Sequence, residues 1–142
     1  MDRLKIKLCD IQGRLFELSL AAGYESDSFV KAFMTSHLAR CLDSEYNRMQ
    51  WAGEEYLLEE LEEEKGNKLQ KGNRQYTIDV LYWMGYLYRY WNLYTGESSD
   101  KIYRQAPVSV MKRNYMMFHT MDPEMAIGDL KEIYTSKKDR IK

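Results

Sequence analysis

Apolar residues recur at helical spacing along most of the chain. Leu4, Leu8, Ile11, Leu15, Leu18 and Ala22 step by four and three and stop at Gly23, which predicts a first helix. Ser26 or Asp27 can cap a second helix whose stripe is Val30, Phe33, His37 and Cys41, with Met34, Leu38 and Leu42 beside it. Asp43-Ser44 offers a break and a fresh cap. A third segment runs from about Glu45 to Lys65 on Tyr46, Met49, Trp51, Tyr56, Leu57 and Leu61, weakened inside by Gly53. Its end carries the consecutive acids Glu62-Glu63-Glu64. Acid opposes the dipole at a helix C-terminus, so this end is expected to fray or be exposed.

Residues 66–73 hold two Gly, two Asn and two Lys and read as a flexible connection. Tyr76–Tyr94 follows, with eight aromatic residues in nineteen positions. A helix with almost no polar face belongs in the middle of a bundle. Asp79, Arg89 and the tyrosines argue against a membrane span. Beyond Thr95-Gly96, Ser98 or Ser99 can cap a helix through Ile102, Tyr103 and Ala106, and Pro107 ends it or opens the next. Val110, Met111, Tyr115, Met117 and Phe118 suggest a helix up to His119. Asp122-Pro123-Glu124 then starts a last one, with a loose basic tail at 136–142. No stretch alternates with period two. The expected fold is all-α: a single domain over residues 1–142, six or seven helices packed around the aromatic one.

With 142 residues, 44% hydrophobic and 30% charged, the chain can bury a core and is neither disordered nor low-complexity. The net charge of −1 lacks the basic excess of a general nucleic-acid binder. It conceals a polarity: residues 1–65 carry 8 basic and 14 acidic side chains, and residues 66–142 carry 13 basic and 8 acidic. Such a division can steer a partner, or the two parts can face each other inside the fold. Cys9 and Cys41 lie in helical apolar patterns and read as free buried thiols in a reducing cytoplasm. The charged first residues precede no secretory apolar core.

Several side-chain sets could carry chemistry. Arg113-Asn114, followed by His119, resembles the ribonuclease motif of HEPN helical domains. That resemblance implies an Arg stabilising phosphate charge and a His moving a proton, usually in a dimer. The simpler reading is a helix with Arg113 exposed and His119 near its end, bonded to a backbone carbonyl. His37 and Cys41 share a helix face and could make a thiolate, but no third orienting group is evident. Two Cys and two His so scattered give no closed metal set, and no cofactor or metal is expected. Lys112, Arg113 and Asn114 would face DNA if 98–118 were a helix–turn–helix.

Glu54, Glu55, Glu59, Glu60 and Glu63 form an acidic stretch suited to a basic cleft on a partner. Arg89 and Tyr90, amid dense aromatics, have the composition of an interface hot spot.

The runs Gln50–Tyr56, Leu81–Trp91 and Phe118–Asp122, followed by Ala126-Ile127 and Asp129-Leu130, resemble a group of small helical proteins from Firmicutes. Residues 96–130 resemble a short helical module encoded beside ADP-ribosyltransferase-like toxins. The resemblance implies a toxin–antitoxin context and transfers no catalytic residue. The expected function is a non-enzymatic protein-binding partner, an antitoxin or accessory inhibitor that occludes a neighbour-encoded toxin. The alternatives are a HEPN-like ribonuclease using Arg113, Asn114 and His119, and a DNA-binding regulator. A homodimer is a further alternative, and it would favour the ribonuclease reading.

Overall fold

The computed structural model describes residues 1–44 and 51–141. Eight α-helices are present among them: α1 (Arg3–Ala21), α2 (Ser26–Met34), α3 (His37–Asp43), α4 (Glu54–Lys65), α5 (Ile78–Thr95), α6 (Ser99–Gln105), α7 (Val108–Phe118) and α8 (Pro123–Ile141). The all-α expectation holds, and the count rises from six or seven to eight. The extra helix comes from a break at Thr35-Ser36, where one continuous stripe to Leu42 was expected. Ser36 Oγ accepts from Ala39 N at 2.9 Å and donates to Phe33 O at 2.6 Å, so one hydroxyl both closes α2 and opens α3.

The third segment is also shorter than its apolar pattern suggested. Gly53 has φ 87° and stands just before α4, a conformation that favours glycine, so it starts the helix instead of kinking it. The residues expected to begin that segment, 45–50, lie outside the described residues. The acidic end of α4 is exposed at Glu63 and Glu64, as expected, but it does not fray. Glu64 accepts from His37 N at 2.7 Å and Leu38 N at 3.0 Å, satisfying the first free amides of α3, and Glu62 accepts from Tyr24 Oη.

The connection at 66–73 is likewise pinned where flexibility was expected. Glu25 N donates to Gln70 O at 2.8 Å, Gly72 N to Gly23 O at 3.1 Å, and Ser28 Oγ to Lys68 O at 2.8 Å. The basic tail at 136–142 continues α8 as helix through Ile141.

The most extensive packing joins α1 to α5, with α4 against α1 and α6, α7 and α8 around α5. Glycines set the closeness of the first pair. A Cβ on Gly85 would stand 2.5 Å from Gln12 O, and one on Gly13 would stand 2.7 Å from the Tyr82 ring. The buried face of α1 is Leu8, Cys9, Gln12, Leu15, Phe16 and Ser19, rotated from the expected stripe, and Leu4 is 64% exposed. Phe16 meets Phe29 and Phe33 edge-on, each at 5.4 Å between centroids. The central position expected for the aromatic helix is observed: Leu81, Met84, Leu87, Tyr88 and Trp91 of α5 are all buried.

Candidate functional site

One edge of α5 does not close. Tyr82, Trp83 and Tyr86 stay half-buried on the side of α5 where residues of α1 and α7 line an open surface. The result is a surface groove of about 640 Å³ between α1, α5 and α7, with Leu87 in its lining. The volume lies within the range of small-ligand clefts. Its walls are aromatic. Trp83 meets Tyr115 edge-on at 5.6 Å, Tyr115 stacks on His119 at 4.3 Å, and Tyr82 lies 6.0 Å from Tyr86. Met121 and Pro123 finish the far end.

The rim is charged. Asp10, Arg14 and Glu17 come from one face of α1 and Asp79 from the first turn of α5. Arg14 Nε bonds Asp10 Oδ2 at 2.9 Å, and Tyr82 Oη donates to the other Asp10 oxygen. Glu17 and Asp79 carry no hydrogen bond or ion pair among the described residues. Burial lifts the pKa of the Glu17 carboxyl, and Asp10, Asp79 and Glu54 push it the same way against the pull of Arg14. Burial and the bond to Asp10 both raise the Tyr82 hydroxyl, which stays protonated as a donor.

His119 lies at the end of α7, exposed, with Nδ1 2.8 Å from Tyr115 O. A carbonyl only accepts, so Nδ1 carries a proton and Nε2 is the ring nitrogen left for a ligand. This is the simpler of the two arrangements expected for that histidine. Arg113 is exposed too, but it lines a different shallow groove, against Asp129 and Glu132 of α8. Asn114 Nδ2 donates to Val110 O at 2.8 Å. Arg113 and His119 thus both face solvent, as the ribonuclease-like reading requires, but within one chain they line different grooves. Lys112, the first of the residues suggested for DNA, lies with its ammonium 5.7 Å from the centre of the Tyr76 ring.

The residues expected to bind a partner divide sharply. Glu55, Glu59 and Glu63 share one exposed face of α4, while Glu54 and Glu60 are half-buried beside them. Arg89 and Tyr90 are a correction, because both are buried. Arg89 is 3% exposed and bonds Gln12 Oε1 at 2.8 Å, Asp43 Oδ1 at 2.8 Å and Asn92 Oδ1 at 3.0 Å. Asp43 in turn accepts from Ser99 N at 2.8 Å and Ser99 Oγ at 2.7 Å. This network ties α1, α3, α5 and α6 together, and its guanidinium is unavailable to a partner. Tyr90 Oη donates to Glu124 at 3.2 Å, and burial followed by the Glu124 charge pushes its pKa up to about 12.

The cysteines divide as well. Cys9 is fully buried, and burial pushes its thiol up to about 12. Cys41, expected buried, is half-buried with Sγ 3.4 Å from His37 Nε2, beside Glu60, Glu63 and Glu64. Among the described residues no group of three or more His, Cys, Asp or Glu is arranged to hold a metal ion. None of the helices among them is long and apolar enough to cross a membrane.

No known protein family, curated protein or solved structure matches this chain. Its functional reading rests on its own geometry. Tyr82, Trp83, Tyr86 and Tyr115 stood out in the sequence as helix aromatics expected in the core or an interface, not as the walls of a groove. The charged rim was not singled out. The signal was there, in Asp10, Arg14 and Glu17 spaced by four and three on one helix face.

Proposed function

We propose that this chain is a non-enzymatic protein-binding partner, an antitoxin or accessory inhibitor that lays its acidic side on a basic cleft of a partner enzyme and occludes it. The observation that carries the reading is the ridge of Glu55, Glu59 and Glu63 on α4. It is exposed along its length, and α4 packs chiefly on α1 and α3 behind it. Tyr56, 46% exposed on the same helix, adds the apolar contact that charge alone lacks. Complementary charge speeds encounter and fixes orientation more than it adds affinity.

The test is co-expression with the proteins encoded beside it, followed by affinity measurement on the isolated complex. Reversing Glu55, Glu59 and Glu63 to Lys should weaken a stoichiometric complex by about a hundredfold, mostly through slower association, and steepen no unfolding curve. Unchanged affinity removes the α4 face from the contact.

A further inference from the structure

We infer that the groove between α1, α5 and α7 seats an arginine or lysine side chain carried on an extended basic segment of a protein partner. The inference rests on the reading of this chain as a protein-binding partner and names a second contact for it.

The charge of the groove selects a cation. Three carboxylates line it against one guanidinium, with His119 and the hydroxyls of Tyr82, Tyr86 and Tyr115 beside them. Arg14 is already bonded to Asp10, whereas Glu17 and Asp79 have no partner among the described residues. An anionic ligand would meet three carboxylates against the single guanidinium of Arg14. A cation would meet them and the aromatic walls together, and Trp and Tyr rings attract ammonium and guanidinium groups through their electron-rich faces. Trp83 and Tyr86, both half-buried, line the same groove as Glu17 and Asp79, which supplies the pairing a flat guanidinium uses: a ring to lie on and a carboxylate to accept its N–H groups. His119 Nε2 offers one more acceptor when the ring is neutral.

Two features favour a peptide segment over a free small molecule. The groove is open along the surface, whereas small ligands are held in sites that cover most of their area. Its α1 wall also backs onto the acidic helix: α4 packs on α1, which supplies Asp10, Arg14 and Glu17, and Glu54 opens α4. A basic segment leaving the groove would therefore run onto a surface of the same sign.

The experiment titrates the full chain with acetyl-Gly-Arg-Gly-Arg-Gly-amide at low salt. The indole N–H resonance of Trp83, identified with Trp83→Phe, is the readout. The expected result is a saturable shift at Trp83. Asp79→Asn should weaken it a few-fold, Asp79→Asn with Glu17→Gln about tenfold, and 0.5 M salt should weaken it in the same direction. Asp79 is exposed, so its single variant keeps the test alive should the double variant fold poorly. Three results overturn the inference: no shift at Trp83, equal binding of the peptide with Glu in place of Arg, or methylguanidinium binding as tightly as the peptide. The last would mark a small-cation site. Peptide binding at Trp83 by a chain that captures no neighbour-encoded protein supports the groove and retires the antitoxin reading. Capture through α4 without a Trp83 shift retires the groove alone.

Discussion

Two arginine–aspartate pairs flank the crossing of α1 and α5, and they do opposite work. Arg89–Asp43 is sealed, with side chains 3% and 12% exposed. Arg14–Asp10 is open, at 58% and 35%. The contact distances hardly differ, 2.8 Å against 2.9 Å. What differs is the dielectric around them and the number of other groups each member must satisfy. The sealed pair is held by Gln12, Asn92 and Ser99, leaving Nη2 of Arg89 as a buried nitrogen without a hydrogen-bond partner among the described residues. The open pair leaves solvent to complete its hydrogen bonds. A pair of the first kind fixes helices in place. A pair of the second kind leaves neighbouring carboxylates free to meet something else.

The sharpest break in this comparison is Arg89→Ala. It strands Asp43 and Gln12 in the interior and should cost about 3–5 kcal/mol, read as a large drop in the denaturant midpoint. Arg14→Ala should leave that midpoint within experimental scatter, because exposed pairs contribute little. Comparable losses from the two variants would erase the distinction between the sides.

Acid sharpens the picture next. Glu97 belongs to the closed end of α5. Burial by itself would raise its carboxyl, yet bonds from Lys131, Trp91 and Gln105 hold it down to about 2. Its folded pKa lies below its unfolded one, so its contribution is complete above about pH 4.5 and is lost as pH falls toward 2. That contribution is on the order of 3 kcal/mol. Stability followed from pH 6 to pH 2.5 should decline in the native chain and decline less in Glu97→Gln, which starts lower. Parallel curves would exclude Glu97 as the source.

The smallest effects separate the two glycines. Gly85→Ala drives a Cβ against the Gln12 carbonyl, which belongs to a helix and cannot yield, and should cost about 1–3 kcal/mol. Gly13→Ala meets the Tyr82 ring first. That ring borders the groove and is tied to Asp10 through its hydroxyl, and the Tyr82 carbonyl stands 3.0 Å from the same Cβ, so this variant should cost a similar amount and should perturb the groove as well. The tyrosine signals of a nuclear magnetic resonance spectrum distinguish the two outcomes.

Much of this molecule was legible in its residues. Helical spacing, Gly23, Gly96 and the Asp122-Pro123 start signal sufficed for an all-α chain. The aromatic density of α5 sufficed to place it centrally, because no helix so apolar survives at a surface. Local chemistry also held the answer at His119, whose bond to Tyr115 spans a single helical turn.

What the residues alone could not decide was which side of each helix met which neighbour. Arg89 and Tyr90 have the composition of an interface and are buried. Their burial depends on Gln12, Asp43 and Glu124, which lie 77, 46 and 34 positions away in sequence. Glu64 looked ill placed at the end of its own helix and proved to cap another. The groove draws its lining from α1, α5 and α7, which lie far apart in sequence. Periodicity determines that a helix has two faces. Only the packing of distant segments determines which face is sealed from water, and with it whether a charge becomes a staple or a binding surface.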